Sequence, residues 1–128
     1  MTPLITGRCL CRAVAWAADA APLWQSHCHC DSCRRATGSA FASFVGMVDG
    51  HWRRTGQTPF RFRSSPGVAR YFCPACGTPL AYRSSTSPAE VHFHAGTLDR
   101  PQDFAPESHD HADERLSWLR LADGLPDR

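Results

Sequence analysis

Seven cysteines in three groups constrain this chain more than any other feature. Cys9 and Cys11 stand in "GRCLC", Cys28, Cys30 and Cys33 in "HCHCDSCRR", and Cys73 and Cys76 in "CPACG". An odd count excludes complete disulfide pairing. The opening "MTPLITGRCL" has no basic region followed by an apolar run, so no secretory signal is read and a cytoplasmic location is expected. In a reducing compartment, clustered thiols bind metal more often than they form disulfides.

"CPACG" is the strongest local signal. Two sulfurs can converge from its tight turn, and the glycine permits the left-handed backbone such a turn usually requires. A C-x-C pair on a strand places both side chains on one face, because side chains alternate. Cys9, Cys11, Cys73 and Cys76 together suit a closed structural zinc site. It would tie the N-terminal strand to a turn more than sixty residues later. Spacing alone leaves open that Cys28 or Cys30 replaces one member.

Cys28, Cys30 and Cys33 remain. A second zinc on three thiolates has a fourth position for water, substrate or a neighbouring histidine, and carries a formal charge of −1. Arg34 and Arg35 follow directly and are placed to offset that charge or bind an anionic substrate. A second structural site completed by His27 or His29 is the alternative. Strand alternation points His29 away from the metal, and His27 is adjacent to Cys28 and poorly placed. His92 and His94 share one strand face. His109 and His111 have metal-pair spacing but read as a solvated loop, and His51 carries no functional reading.

The rest of the chain reads as short strands: "LITGRCLC", "AVAWAA", "AFASFVGMV", "VARYFC", "PLAYR" and "EVHFHAGTL". "GHWRRTGQTPFRFRSS" alternates like a hairpin. Proline recurs too often for long helices, and the one helical candidate is Asp31–Thr37, capped by Asp31 or Ser32 and ended by Gly38. The expectation is a single all-β, mainly antiparallel domain over residues 1–128, with short helical turns. No apolar run approaches the roughly 20 residues of a membrane helix. All 14 basic residues are arginine, but a net charge of +2 and their scatter along the chain argue against a nucleic-acid partner.

Taken together, "GRCLC", "CHCDSCRRATGSAF", "RYFCPACGTPL", "AGTLD" and "SHDHADERLSWLRLADGLP" resemble the glutathione-dependent formaldehyde-activating enzyme family nearly end to end. The resemblance implies a zinc-held β-tent. It also implies a partition of the sulfurs, with a structural zinc on Cys9, Cys11, Cys73 and Cys76 and a catalytic zinc on Cys28, Cys30 and Cys33. The implied activity is that of a carbon–sulfur lyase joining formaldehyde to glutathione, or a related aldehyde and thiol. Arg34, Arg35 and Ser39 are the expected substrate contacts. A non-catalytic, zinc-stabilised binding or carrier module is the alternative function. The chain departs from the family at Arg12, where glycine is common after the first C-x-C, and in "HDH" at 109–111.

Overall fold

The computed structural model describes residues 2–128. Ten strands and one helix follow in chain order: β1 (Ile5–Arg8), β2 (Val14–Ala18), β3 (Trp24–Cys28), α1 (Asp31–Thr37), β4 (Ala42–Val48), β5 (Trp52–Gly56), β6 (Phe60–Ser65), β7 (Val68–Phe72), β8 (Pro79–Ser84), β9 (Glu90–His94) and β10 (His109–Asp110). A three-stranded sheet runs β1-β2-β5, and a seven-stranded sheet runs β10-β3-β4-β9-β8-β7-β6. Every pairing between these strands is antiparallel except β10 with β3, and His109 of β10 also makes an isolated parallel bridge to Asp127. The all-β, mainly antiparallel expectation is met.

The strands form where apolar residues alternate, and the two sheets bury those residues against each other. Ile5, Val14 and Trp16 of the small sheet meet Val45, Met47, Leu80, Val91 and Phe93 of the large one. Trp16 stacks on Phe93 with ring centroids 4.0 Å apart and planes 8° from parallel. Its indole N–H is not stranded by burial, since Nε1 donates to Thr97 Oγ1 at 3.1 Å. Gly7 makes this fit possible, because a Cβ there would lie 2.5 Å from the Trp16 ring.

Two local readings change. "GHWRRTGQTPFRFRSS" is not a hairpin: β5 pairs with β2, while β6 pairs with β7 in the other sheet. Gly56 turns at φ 83° and Gln57 N–H then donates to Ala13 O at 2.7 Å, which ties the end of β5 to the small sheet. Pro59 has no N–H to offer a partner strand as the chain crosses over. Helix α1 spans the expected residues and ends at Gly38 with φ 68°, but its cap is neither Asp31 nor Ser32. Cys30 takes that place, its Sγ accepting from Cys33 N at 3.3 Å. Among the described residues no helix is long and apolar enough to cross a membrane.

Candidate metal centres

Cys9, Cys11, Cys73 and Cys76 converge, with their Sγ atoms all within 4.8 Å of one another. Cys9 and Cys11 lie beyond the end of β1, so the loop into β2 brings them together rather than strand alternation. Arg12, within that loop, holds φ 71° without being glycine. The other two sulfurs come from the turn between β7 and β8. There Gly77 adopts φ 79°, and its N–H donates to Cys73 O at 2.8 Å. The left-handed glycine read from "CPACG" is therefore present.

Zinc with sulfurs at about 2.3 Å in a tetrahedron sets those sulfurs about 3.8 Å apart. Cys9 Sγ lies 3.7 Å from Cys11 Sγ, which lies 3.8 Å from Cys73 Sγ. The donor set fits a tetrahedral thiophilic ion. Backbone N–H groups favour the charged sulfurs: Val14 N donates to Cys9 Sγ at 3.3 Å and Ala75 N to Cys73 Sγ at 3.4 Å. Hydrogen bonds from Thr78 hold the Cys76 thiol down at about 5. Cys9 and Cys73 are fully buried, Cys76 is half-buried and Cys11 is exposed, so the site lies at the surface with two of its sulfurs covered.

The second group, Cys28, Cys30 and Cys33, also falls within 4.8 Å. Cys28 ends β3, Cys30 caps α1, and Cys33 lies in its first turn, so a strand end and a helix start aim three sulfurs at one point. Hydrogen bonds from Cys28 and Cys33 hold the Cys30 thiol well below its ordinary range, while Cys30 and Cys33 push Cys28 up. Three thiols this close compete for protons, and a cation resolves the competition.

This cluster lies on the wall of a cavity of about 490 Å³. Its lining includes Ser32, Arg70, Tyr82, His92, Asp110 and His111. Arg70 Nη1 and Nη2 each lie 3.7 Å from Cys33 Sγ, and its guanidinium sits 5.0 Å from the centroid of the Tyr82 ring. The cation against the cluster is thus Arg70, about forty residues from the sulfurs in sequence. No local pattern around "VARYF" signals that role.

Arg34 and Arg35 are both paired to Asp31, at 2.8 and 3.0 Å. Neither lines the three-cysteine cavity, nor does Ser39, whose N–H donates to Thr37 Oγ1 at 3.2 Å. Arg35 lines an adjoining cleft of about 590 Å³ that shares Ser32, Ser64 and Arg70 with the cavity.

His29 is not among the clustered donors. Its Nε2 lies 2.9 Å from His109 Nδ1, and His109 Nε2 lies 2.9 Å from Asp123 Oδ2. His29 and His109 are 0% and 2% exposed, so His109 belongs to a buried chain of hydrogen bonds and not to a solvated loop. Burial holds the His29 imidazole below its ordinary range, with the Arg115 charge acting in the same direction. His111, in the same "HDH" stretch, faces the cavity.

A crystal structure of a protein from Rhodobacter sphaeroides shares this fold. It superposes with a TM-score of 0.65 at 18% sequence identity, covering 96% of this chain and 99% of its own. No curated protein sequence matches the chain. The sequence model of the family described as glutathione-dependent formaldehyde-activating enzyme matches residues 4–114, a span that holds all seven cysteines and stops short of Asp123. On that match and on the two thiol clusters, this chain is a member of the glutathione-dependent formaldehyde-activating enzyme family.

Proposed function

We propose that the chain is a zinc-dependent carbon–sulfur lyase that joins formaldehyde, or a similarly small aldehyde, to glutathione or a related thiol. One observation carries the reading: three sulfur donors, not four, converge on a cavity wall with a guanidinium against them. Cys28, Cys30 and Cys33 would hold the catalytic ion, and Cys9, Cys11, Cys73 and Cys76 the structural one. When bound, zinc supplies Lewis acidity towards a carbonyl and favours thiolate over thiol.

The chain's own residues bind and orient the reactants. The cavity and its adjoining cleft meet at Arg70, which gives an extended tripeptide a continuous groove. Arg70 and Arg35 offer guanidinium partners for its carboxylates. Arg34, held by Asp31, fixes the first turns of α1 behind the sulfurs. Ser39, just past the end of α1, lies outside both cavities; a contact with substrate there needs the ligand to extend beyond them.

In the reaction a carbon–sulfur bond forms, the carbonyl π bond opens, and the thiol proton ends on the oxygen. His111 is placed to carry that proton, since it lines the cavity and its Nδ1 lies 3.6 Å from Glu114 Oε2. Holding both reactants in one geometry supplies several kcal/mol of the barrier.

The test is direct. Zinc-loaded protein should accelerate S-hydroxymethylglutathione formation above the spontaneous rate, and Cys33→Ser should abolish the gain while the fold persists. Loaded protein that gives no acceleration with glutathione and formaldehyde rejects this substrate pair.

A further inference from the structure

Strands β7, β8 and β9 present alternate residues to opposite faces of the large sheet. Arg70, Tyr82 and His92 line the three-cysteine cavity. Their chain neighbours Tyr71, Ala81 and Phe93 line a different cavity, of about 390 Å³, although Tyr71 and Ala81 also border the cleft beside the three-cysteine cavity. That volume lies within the roughly 300–1,000 Å³ typical of small-molecule sites. Trp16 and Trp52 of the small sheet close its other side.

The wall is mainly aromatic and aliphatic carbon, and the charged residues in the lining are three arginines: Arg54, Arg61 and Arg83. Among the described residues no carboxylate lines the cavity. Arg83 is held in place by Asp49, at 2.9 and 3.2 Å, and its guanidinium sits 5.6 Å from the Trp52 ring centroid. Arg54 Nη1 donates to the carbonyls of Gly56 and Gln57. Among the described residues neither Arg54 nor Arg61 pairs with a carboxylate. Three guanidinium charges against the single Asp49 carboxylate leave a net charge of +2 at the rim.

Such a site has a definite complement. A neutral apolar guest leaves the rim charges unanswered, and a purely ionic guest leaves the aromatic wall without contacts. We infer that this cavity is a second small-molecule site, separate from the metal centres. It takes a compact aromatic or alkyl anion whose apolar body rests against Trp52 and Tyr71 and whose carboxylate or sulfonate meets Arg61 and Arg54. The inference does not depend on the aldehyde chemistry, because among the described residues no cysteine lines the cavity.

The experiment compares two dyes on the full, zinc-loaded chain: 8-anilinonaphthalene-1-sulfonate and N-phenyl-1-naphthylamine, which has the same rings without the sulfonate. Dye emission and quenching of tryptophan fluorescence report binding. The sulfonate dye should saturate at about one equivalent and bind about tenfold more tightly than the neutral one. Arg61→Gln should remove most of that preference, whereas Arg120→Gln, on an exposed arginine outside the cavity, should leave it intact. Phe62→Ser, which alters an exposed ring on the opposite sheet face, should also leave it intact. The inference is overturned by absent or unsaturable binding, by equal affinity for the two dyes, by Arg61→Gln behaving like Arg120→Gln, or by loss of binding in Phe62→Ser.

Discussion

Arg12 offers the cleanest test of how the four-cysteine site is built. It follows Cys11 directly and holds φ 71°, a region that costs an L-residue about 1–2 kcal/mol. Its side chain is exposed, and its N–H donates to Cys9 O at 3.3 Å, a bond that glycine would keep. Arg12→Gly removes the strain. It also loosens the unfolded chain, which takes back about 0.5–1 kcal/mol. The net gain should be about 0.5–1 kcal/mol. For 128 residues, with an unfolding entropy of about 2.1 cal/mol/K per residue, this raises Tm by about 2–4 °C. Thermal melts must be run at fixed free zinc, since bound metal shifts the apparent stability. Arg12→Ala is the decisive companion: alanine keeps the Cβ and so the strain, and should gain almost nothing. If alanine stabilises as much as glycine, the arginine side chain and not the backbone is responsible. If glycine gives no gain, the loop carries no strain.

Arg70→Gln removes the guanidinium from Cys33 Sγ and should speed chelator extraction of zinc from the three-cysteine cluster by about tenfold, with the other zinc unaffected; equal loss from both sites would contradict the assignment. Burial, reinforced by the Arg70 charge, holds the His94 imidazole at about 4 against an ordinary 6.5. The unfolded chain therefore protonates first. The resulting stability is complete above about pH 6.5 and is lost as pH falls towards 4, about 3 kcal/mol in all. Urea unfolding at pH 7 and 4.5 should show a smaller acid loss for His94→Phe than for the natural chain, and an unchanged difference would refute the burial argument. Gly46→Ala would place a Cβ within 2.7 Å of the Trp24 ring and separate its Nε1 from Glu90 Oε1, now at 2.7 Å. The expected cost is about 1–3 kcal/mol with altered tryptophan emission, and unperturbed emission would show that the indole had room to move.

The cysteine groups were legible in sequence because sulfur ligands are few and their spacing is local. Helix α1 was legible for a similar reason: Gly38 ends it within one short stretch. The identity of its cap was not, because the C-x-C spacing points to Cys30 as a ligand, whereas its sulfur also receives the Cys33 N–H. Arg70, Tyr82, His92 and His111 reach the three-cysteine cavity through the strand order β10-β3-β4-β9-β8-β7, which sequence periodicity does not encode. The same holds for Arg54, Arg61 and Arg83. Scattered along the chain, they gather at one rim only because β5 and β6 part company and enter different sheets. For His109 the polar neighbours in "SHDHADE" suggest solvent, yet β10 lies against β3 and buries it.

The two-sidedness of β7 to β9 has an evolutionary corollary. At Arg70 and Tyr71, Ala81 and Tyr82, and His92 and Phe93, neighbouring positions serve separate chemical compartments, so point changes there can retune one compartment while the other drifts independently. Deleting a single residue from β8 would instead trade Tyr82 for Ala81 and scramble both at once. Divergence among chains of this architecture should therefore proceed by replacement within these strands, with length variation confined to the turns between them.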